Sequence, residues 1–146
     1  MDPKLSAFAL FCDSVREEKG GLNTIVGVMP DNVEVPAFPG AFTRLSVHYR
    51  VIIPIGFEIK PVTLTVALPN TPKLEMGFET SLIEAALRNS SEQGNPSTTL
   101  VGSFTVNNIQ IPEPMKINAL VRCGDAEILA GYLNIKRRSP PPTAAG

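Results

Sequence analysis

A single histidine, His48, and two cysteines, Cys12 and Cys123, leave this chain of 146 residues with little of the usual equipment for metal binding or nucleophilic catalysis. Histidine-rich metal sites are excluded, and any Ser-His-Asp arrangement would have to use His48. Neither cysteine has a second ligand at metal spacing, so a zinc site has no basis in the sequence. Charge is scarce as well: charged residues make up 18% of the chain, against roughly a quarter in ordinary globular proteins. The net charge of −1 and pI near 5.8 give no global positive field to collect phosphates, which argues against a nucleic-acid partner.

Long apolar runs are missing too. The longest near the N-terminus, Ala7 to Cys12, is far short of the roughly 20 residues of a membrane span. Asp2 stands where a signal peptide carries positive charge. The expectation is a soluble, unexported, cytoplasmic protein with no membrane partner. In that setting two buried free thiols are the plainer reading of Cys12 and Cys123; a disulfide between strands distant in sequence is the alternative.

What the chain has in quantity is proline (14) and glycine (11), as suits short strands joined by tight turns. The first strand, Leu5 to Cys12, is apolar on both faces and therefore reads as central. The charged segment from Asp13 to Gly21 reads as a turn, its glycine pair free to take positive φ, and leads into a second strand, Leu22 to Met29. A short strand Val33 to Val35 precedes the rigid loop Pro36 to Gly40. The clearest strand follows: Leu45, Val47, Tyr49, Val51 and Ile53 share one face, Ser46, His48 and Arg50 the other, placing His48 toward solvent. Its partner puts Val62, Leu64, Val66 and Leu68 inward and Thr63 and Thr65 outward.

Lys73 to Thr80 returns as a strand. Over 81–89 a short helix and a strand are equally compatible, since Ser81 with Glu84 resembles a capping box while Ile83, Ala85 and Leu87 alternate with polar neighbours. Ser90 to Ser97 has the composition of a mobile loop. Leu100 to Val106, Met115 to Cys123 and Glu127 to Ile135 complete the strands, the last two joined through Gly124-Asp125, where glycine in first position favours a type II′ turn. These roughly seven to nine strands predict an all-β, antiparallel β-sandwich, immunoglobulin-like or related, with a closed barrel as the alternative. One domain is expected over 1–136, burying roughly 70% of the surface of the unfolded chain. The Pro-rich tail 137–146 is expected to be disordered or polyproline II.

Two segments carry a resemblance. Phe8 to Leu22 contains the turn Cys12-Asp13-Ser14-Val15-Arg16-Glu17, and Ile25-Val26-Gly27-Val28 follows it; Phe104 to Asp125 contains Asn107-Asn108, Pro112-Glu113-Pro114 and Val121-Arg122-Cys123-Gly124-Asp125. Both are similar to the opening and closing segments of a family of small bacterial and phage β-sandwich proteins of unknown function. The chain departs from that pattern at Met115, where the family usually has glycine after Pro-x-Pro, and at Gly124-Asp125, where it has Asp-Gly. The resemblance implies a fold and no assigned activity; its phage and prophage members suggest an accessory role.

Asp13, Arg16 and Glu18 form the densest polar group, with Arg16 able to offer a planar bidentate donor to a carboxylate or phosphate. They are the candidate binding residues, and turn fixation through local pairing is the plainer use of them. No motif places a nucleophile and an acid around His48. Carboxylate pairs can be drawn from Glu34, Glu58, Glu75, Glu79 and Glu84 without any being singled out. Asp13, Asp31 and Asp125 lack the spacing of a calcium loop, and Gly20-Gly21 lacks the lysine of a phosphate loop. Lys136-Arg137-Arg138 could dock an acidic partner, but a solvated chain end explains it more simply.

The expectation is a non-enzymatic module without cofactor or metal that binds a protein partner or a second copy of itself. A small hydrolase or carbohydrate-active protein using loop carboxylates is the alternative.

Overall fold

The computed structural model describes residues 4–139. Nine strands and one helix follow in the order β1 (Ser6–Glu17), β2 (Asn23–Val28), β3 (Asn32–Val35), β4 (Gly40–Pro54), β5 (Val62–Val66), β6 (Leu74–Phe78), α1 (Thr80–Glu92), β7 (Ser97–Ile111), β8 (Met115–Cys123) and β9 (Ala126–Arg137). They form a first sheet of order β2-β1-β4-β7 and a second of order β3-β9-β8-β5-β6. The expected all-β sandwich is what the chain adopts. Every pairing is antiparallel except β3 with β9, which run parallel. Strands β4 and β7 stand where an immunoglobulin domain has B and E, and β5, β8 and β9 where it has C, F and G.

Period-two alternation makes the core. From the first sheet come Phe11, Leu45, Val47, Tyr49, Val51, Ile53 and Leu100, and from the second Val62, Leu64, Val66, Ile117, Val121, Leu133 and Ile135, all buried. Each such side chain contributes roughly 1.5–3 kcal/mol before ordering entropy is subtracted. The layers approach closely where Gly131 of β9 meets β1: a Cβ on Gly131 would lie 2.5 Å from the Ala9 carbonyl oxygen. Helix α1 closes the gap between β6 and β7 with Ile83, Leu87 and Ser90, buried at helical spacing.

Several expectations are corrected. Ser14-Val15-Arg16-Glu17 extends β1 and pairs with Asn23 to Val26, so the turn is confined to residues 18–22. Backbone ladders override the local charge there. Over 81–89 the helix is realised, but the capping box is not: Ser81 lies inside α1, whose N-cap is Glu79 with no side-chain cap bond. Ser90 to Glu92 continue α1 in place of a loop, and Ser97 begins β7. Thr65, expected outward and solvated, is buried because β5 is flanked by both Glu75 of β6 and Leu120 of β8. Lys136 and Arg137, expected at or beyond the ordered end, pair with Glu34 and Val35 of β3. The tail from 140 onward lies outside the described residues. The Gly124-Asp125 hairpin forms as expected, with Gly124 at φ +59° and Asp125 not at positive φ, the pattern of a II′ turn.

Candidate functional site

The β1–β4 ladder ends at Cys12 with Ser46, whereas the β1–β2 ladder continues to Glu17 with Asn23. Beyond Cys12 the hairpin therefore leaves the plane of the sheet. Two features mark the departure. Gly27, opposite Asp13, takes φ +68°, and a Cβ there would meet the Asp13 Cβ at 3.0 Å. The Asp13 carbonyl, no longer held by a ladder, accepts from Arg44 Nε at 3.2 Å and from the Ser46 hydroxyl at 3.2 Å. The hairpin then crosses the outer face of β4, so that Val15 and Glu17 line one recess together with Ser103 and Thr105 of β7.

Under this flap the outer face of β4 and β7 is a ladder of polar pairs. His48 Nδ1 lies 2.7 Å from Ser103 Oγ, and Ser46 Oγ lies 2.9 Å from Thr105 Oγ1. Each bond joins direct register partners. His48 is only 5% exposed, which corrects its expected solvent position: the hairpin and Leu10, its register partner on β1, cover it. Burial first, and the Arg50 charge second, hold its pKa below the ordinary histidine value. The ring is thus a neutral partner for Ser103 at physiological pH. Among the described residues no carboxylate bonds to His48.

Beside the ladder lies a recess of about 740 Å³. Its floor is Phe8, Leu10, Ile52 and Val101 with His48 and Arg50, and the hairpin tip, Leu22 and Ile25, walls it. Phe8 (58% exposed), Leu22 (68%), Leu10 and Val101 stand open around it, and Val26 and Val28 are exposed on the adjoining strand β2. The outer face of the second sheet differs. There Asn134 bonds Asn32 at 3.2 Å, Lys116 sits 4.5 Å above the Tyr132 ring, and Arg122 faces Glu127 at 3.6 Å.

Of the three residues singled out from the sequence, Arg16 and Glu18 meet and Asp13 stands apart. Asp13 pairs with Arg44 at 2.9 Å, and Arg16, with two-thirds of its side chain exposed, pairs at 3.6 Å with Glu18 near the hairpin turn. Three residues of strand separate Asp13 from Arg16 by roughly 10 Å. Sequence reasoning put Arg50 on the outer face with His48 but gave it no role, and missed Arg44 and Ser103. The signal that pointed to the recess was the apolar outer side of Leu5 to Cys12, which serves an open face as well as a central strand. Cys12 and Cys123 are buried free thiols, with pKa values raised chiefly by burial.

A family of unknown function, DUF6941, matches residues 7–136, from the second residue of β1 to the penultimate residue of β9. The chain belongs to DUF6941. Neither a curated protein nor a solved structure matches it. The DUF6941 match takes in both sheets, the crossing hairpin and the whole recess. Among the described residues of this DUF6941 chain no three His, Cys, Asp or Glu side chains gather as a metal-ligand group, and no helix is long and apolar enough to cross a membrane.

Proposed function

We propose that this DUF6941 protein is a non-enzymatic binding module that engages a protein partner, or a second copy of itself, through the outer face of the first sheet. The observation that carries this reading is the contrast between the two outer faces. Both pair polar groups, but the first also leaves Phe8, Leu10, Leu22 and Val101 open to water around one recess, where the second sheet exposes Leu129 on β9. Contiguous exposed apolar groups are costly on a monomer and mark interaction surfaces. The small net charge supports a protein partner over a polyanion.

The non-catalytic side of the proposal rests on the chemistry of His48. Its bond to Ser103 repeats the Ser46–Thr105 bond one ladder step away, so it reads as cross-strand pairing, with no carboxylate bonded to the ring among the described residues. A phage or prophage setting and a cytoplasmic location are part of the same proposal, supported only by the sequence resemblance at both chain ends and by the mild composition.

The test is light scattering across a concentration series, together with partner capture, for the wild type and for Val26→Lys and Val28→Lys. Loss of self-association or of a specific captured protein in the lysine variants is expected. A wild type that stays monomeric and captures the same proteins as the variants would remove the proposal.

A further inference from the structure

Concavity sets one part of this face apart from a flat docking surface. The crossing hairpin turns the apolar strip beside His48 into a recess of about 740 Å³, within the roughly 300–1,000 Å³ range of small-molecule sites. Its lining is apolar except at His48, Arg50 and, on the hairpin, Asn23, and of these only Arg50 is a permanent cation. Arg50 lies between Phe8 on β1 and Val101 on β7, its register partners on either side. Among the described residues it takes part in no ion pair, which holds for Arg88, Arg137 and Arg138 as well, but none of those lines the recess.

A guanidinium with apolar neighbours and no counter-charge selects for an anion. Its planar fork matches a carboxylate through two parallel hydrogen bonds, and Arg50 stands exposed where a ligand can reach it. One cation balances one negative charge, which favours a carboxylate over a doubly charged phosphate. Phe8, Leu10, Leu22, Ile25, Ile52 and Val101 offer apolar contact to the remainder of the ligand.

We propose that the recess beneath the β1–β2 hairpin binds a small molecule composed of an apolar body and a single carboxylate, with Arg50 receiving the carboxylate. This rests on the reading of the first sheet's outer face as the binding side, and it adds a ligand that reading does not contain.

Calorimetric titration of the full chain with decanoate and with 1-decanol, both below their aggregation limits, tests it. Decanoate is expected to bind the wild type, and Arg50→Gln to weaken it about tenfold or more, as loss of a charge-assisted bond implies. Decanol is expected to bind weakly and equally to both. Val101→Lys, which brings a second cation and bulk to the floor, supplies an independent variant; circular dichroism confirms folding, and amide NMR shifts at Leu22 and Ile25 place the ligand. No heat with decanoate, or equal affinity in Arg50→Gln, overturns the assignment. So does tighter binding of a short peptide with a free C-terminal phenylalanine, since the site would then serve a chain end. If decanoate fails while Val26→Lys still abolishes association, the ligand assignment falls alone; if association is also unaffected, both readings fall.

Discussion

The hydroxyl of Tyr49 reaches from the first sheet across the sandwich interior and donates to the backbone carbonyl of Thr65 in the second, at 2.8 Å. Tyr49 is fully buried, and burial pushes its pKa well above the ordinary phenol value, so the proton stays in place throughout the working pH range. Its ring packs edge-on against Phe104, with centroids 5.9 Å apart and planes at 89°. Tyr49→Phe keeps the ring contact and deletes only the inter-sheet bond. A loss of about 1 kcal/mol is expected in urea unfolding, with the m-value unchanged. Unaltered stability would show that the bond contributes nothing net.

The close approach of Gly131 to β1 yields a second prediction. A methyl group there meets the Ala9 carbonyl oxygen at 2.5 Å, and that oxygen belongs to backbone that cannot swing aside as a side chain can. Gly131→Ala is therefore expected to cost about 1–3 kcal/mol by forcing the sheets apart. Gly77 of β6 is the control, because its Cβ position is open and its φ is not positive. Gly77→Ala is expected to stay within about 0.5 kcal/mol of wild type. Equal effects of the two substitutions would contradict the packing account.

The sequence predicted well where structure depends on local alternation and failed where it depends on coverage by distant segments. Leu45 to Ile53 and Val62 to Leu68 place their apolar sets inward as the period of two requires, and Gly124-Asp125 turns where a two-residue hairpin should. Ser14 to Glu17 looked like a turn because polar composition says nothing about a ladder supplied by Asn23 to Val26. His48 looked solvated because its cover comes from a hairpin bent over it at Asp13 and Gly27. The proposed recess was hidden for the same reason: Leu22 and Ile25 meet Val101 only after that bend.

Separating Asp13 from Arg16 in space leads to unequal expectations for the two arginines. Arg16 faces Glu18 at 3.6 Å with most of its side chain in water, and Arg16→Ala is expected to change stability by less than about 0.5 kcal/mol. Arg44 binds both the Asp13 carboxylate and the Asp13 carbonyl where β1 leaves the sheet, though nearly half of each side chain is exposed. Arg44→Ala is expected to cost up to about 1 kcal/mol, and less at high salt. Faster amide exchange at Ser14 and Val15 in that variant would locate the effect at the bend; exchange unchanged there would mean that Gly27 and the ladders alone hold it.

His48 gives the protein a pH dependence whose sign follows from its surroundings. The native pKa lies below the ordinary value of 6.5, first because the ring is buried and second because Arg50 is near. Above 6.5 both folded and unfolded chains hold the ring neutral, so it adds no slope. As pH falls below 6.5 the unfolded chain takes up the proton while the folded chain resists, and stability drops until pH passes the lowered native pKa. His48→Gln keeps a polar group beside Ser103 and removes the titration. Unfolding free energies measured from pH about 7.5 down to about 5 should therefore converge for the two proteins as the wild type loses more, the carboxylate contribution being common to both. Parallel curves would mean that His48 titrates alike in both states, and that the hairpin does not shield the ring in solution.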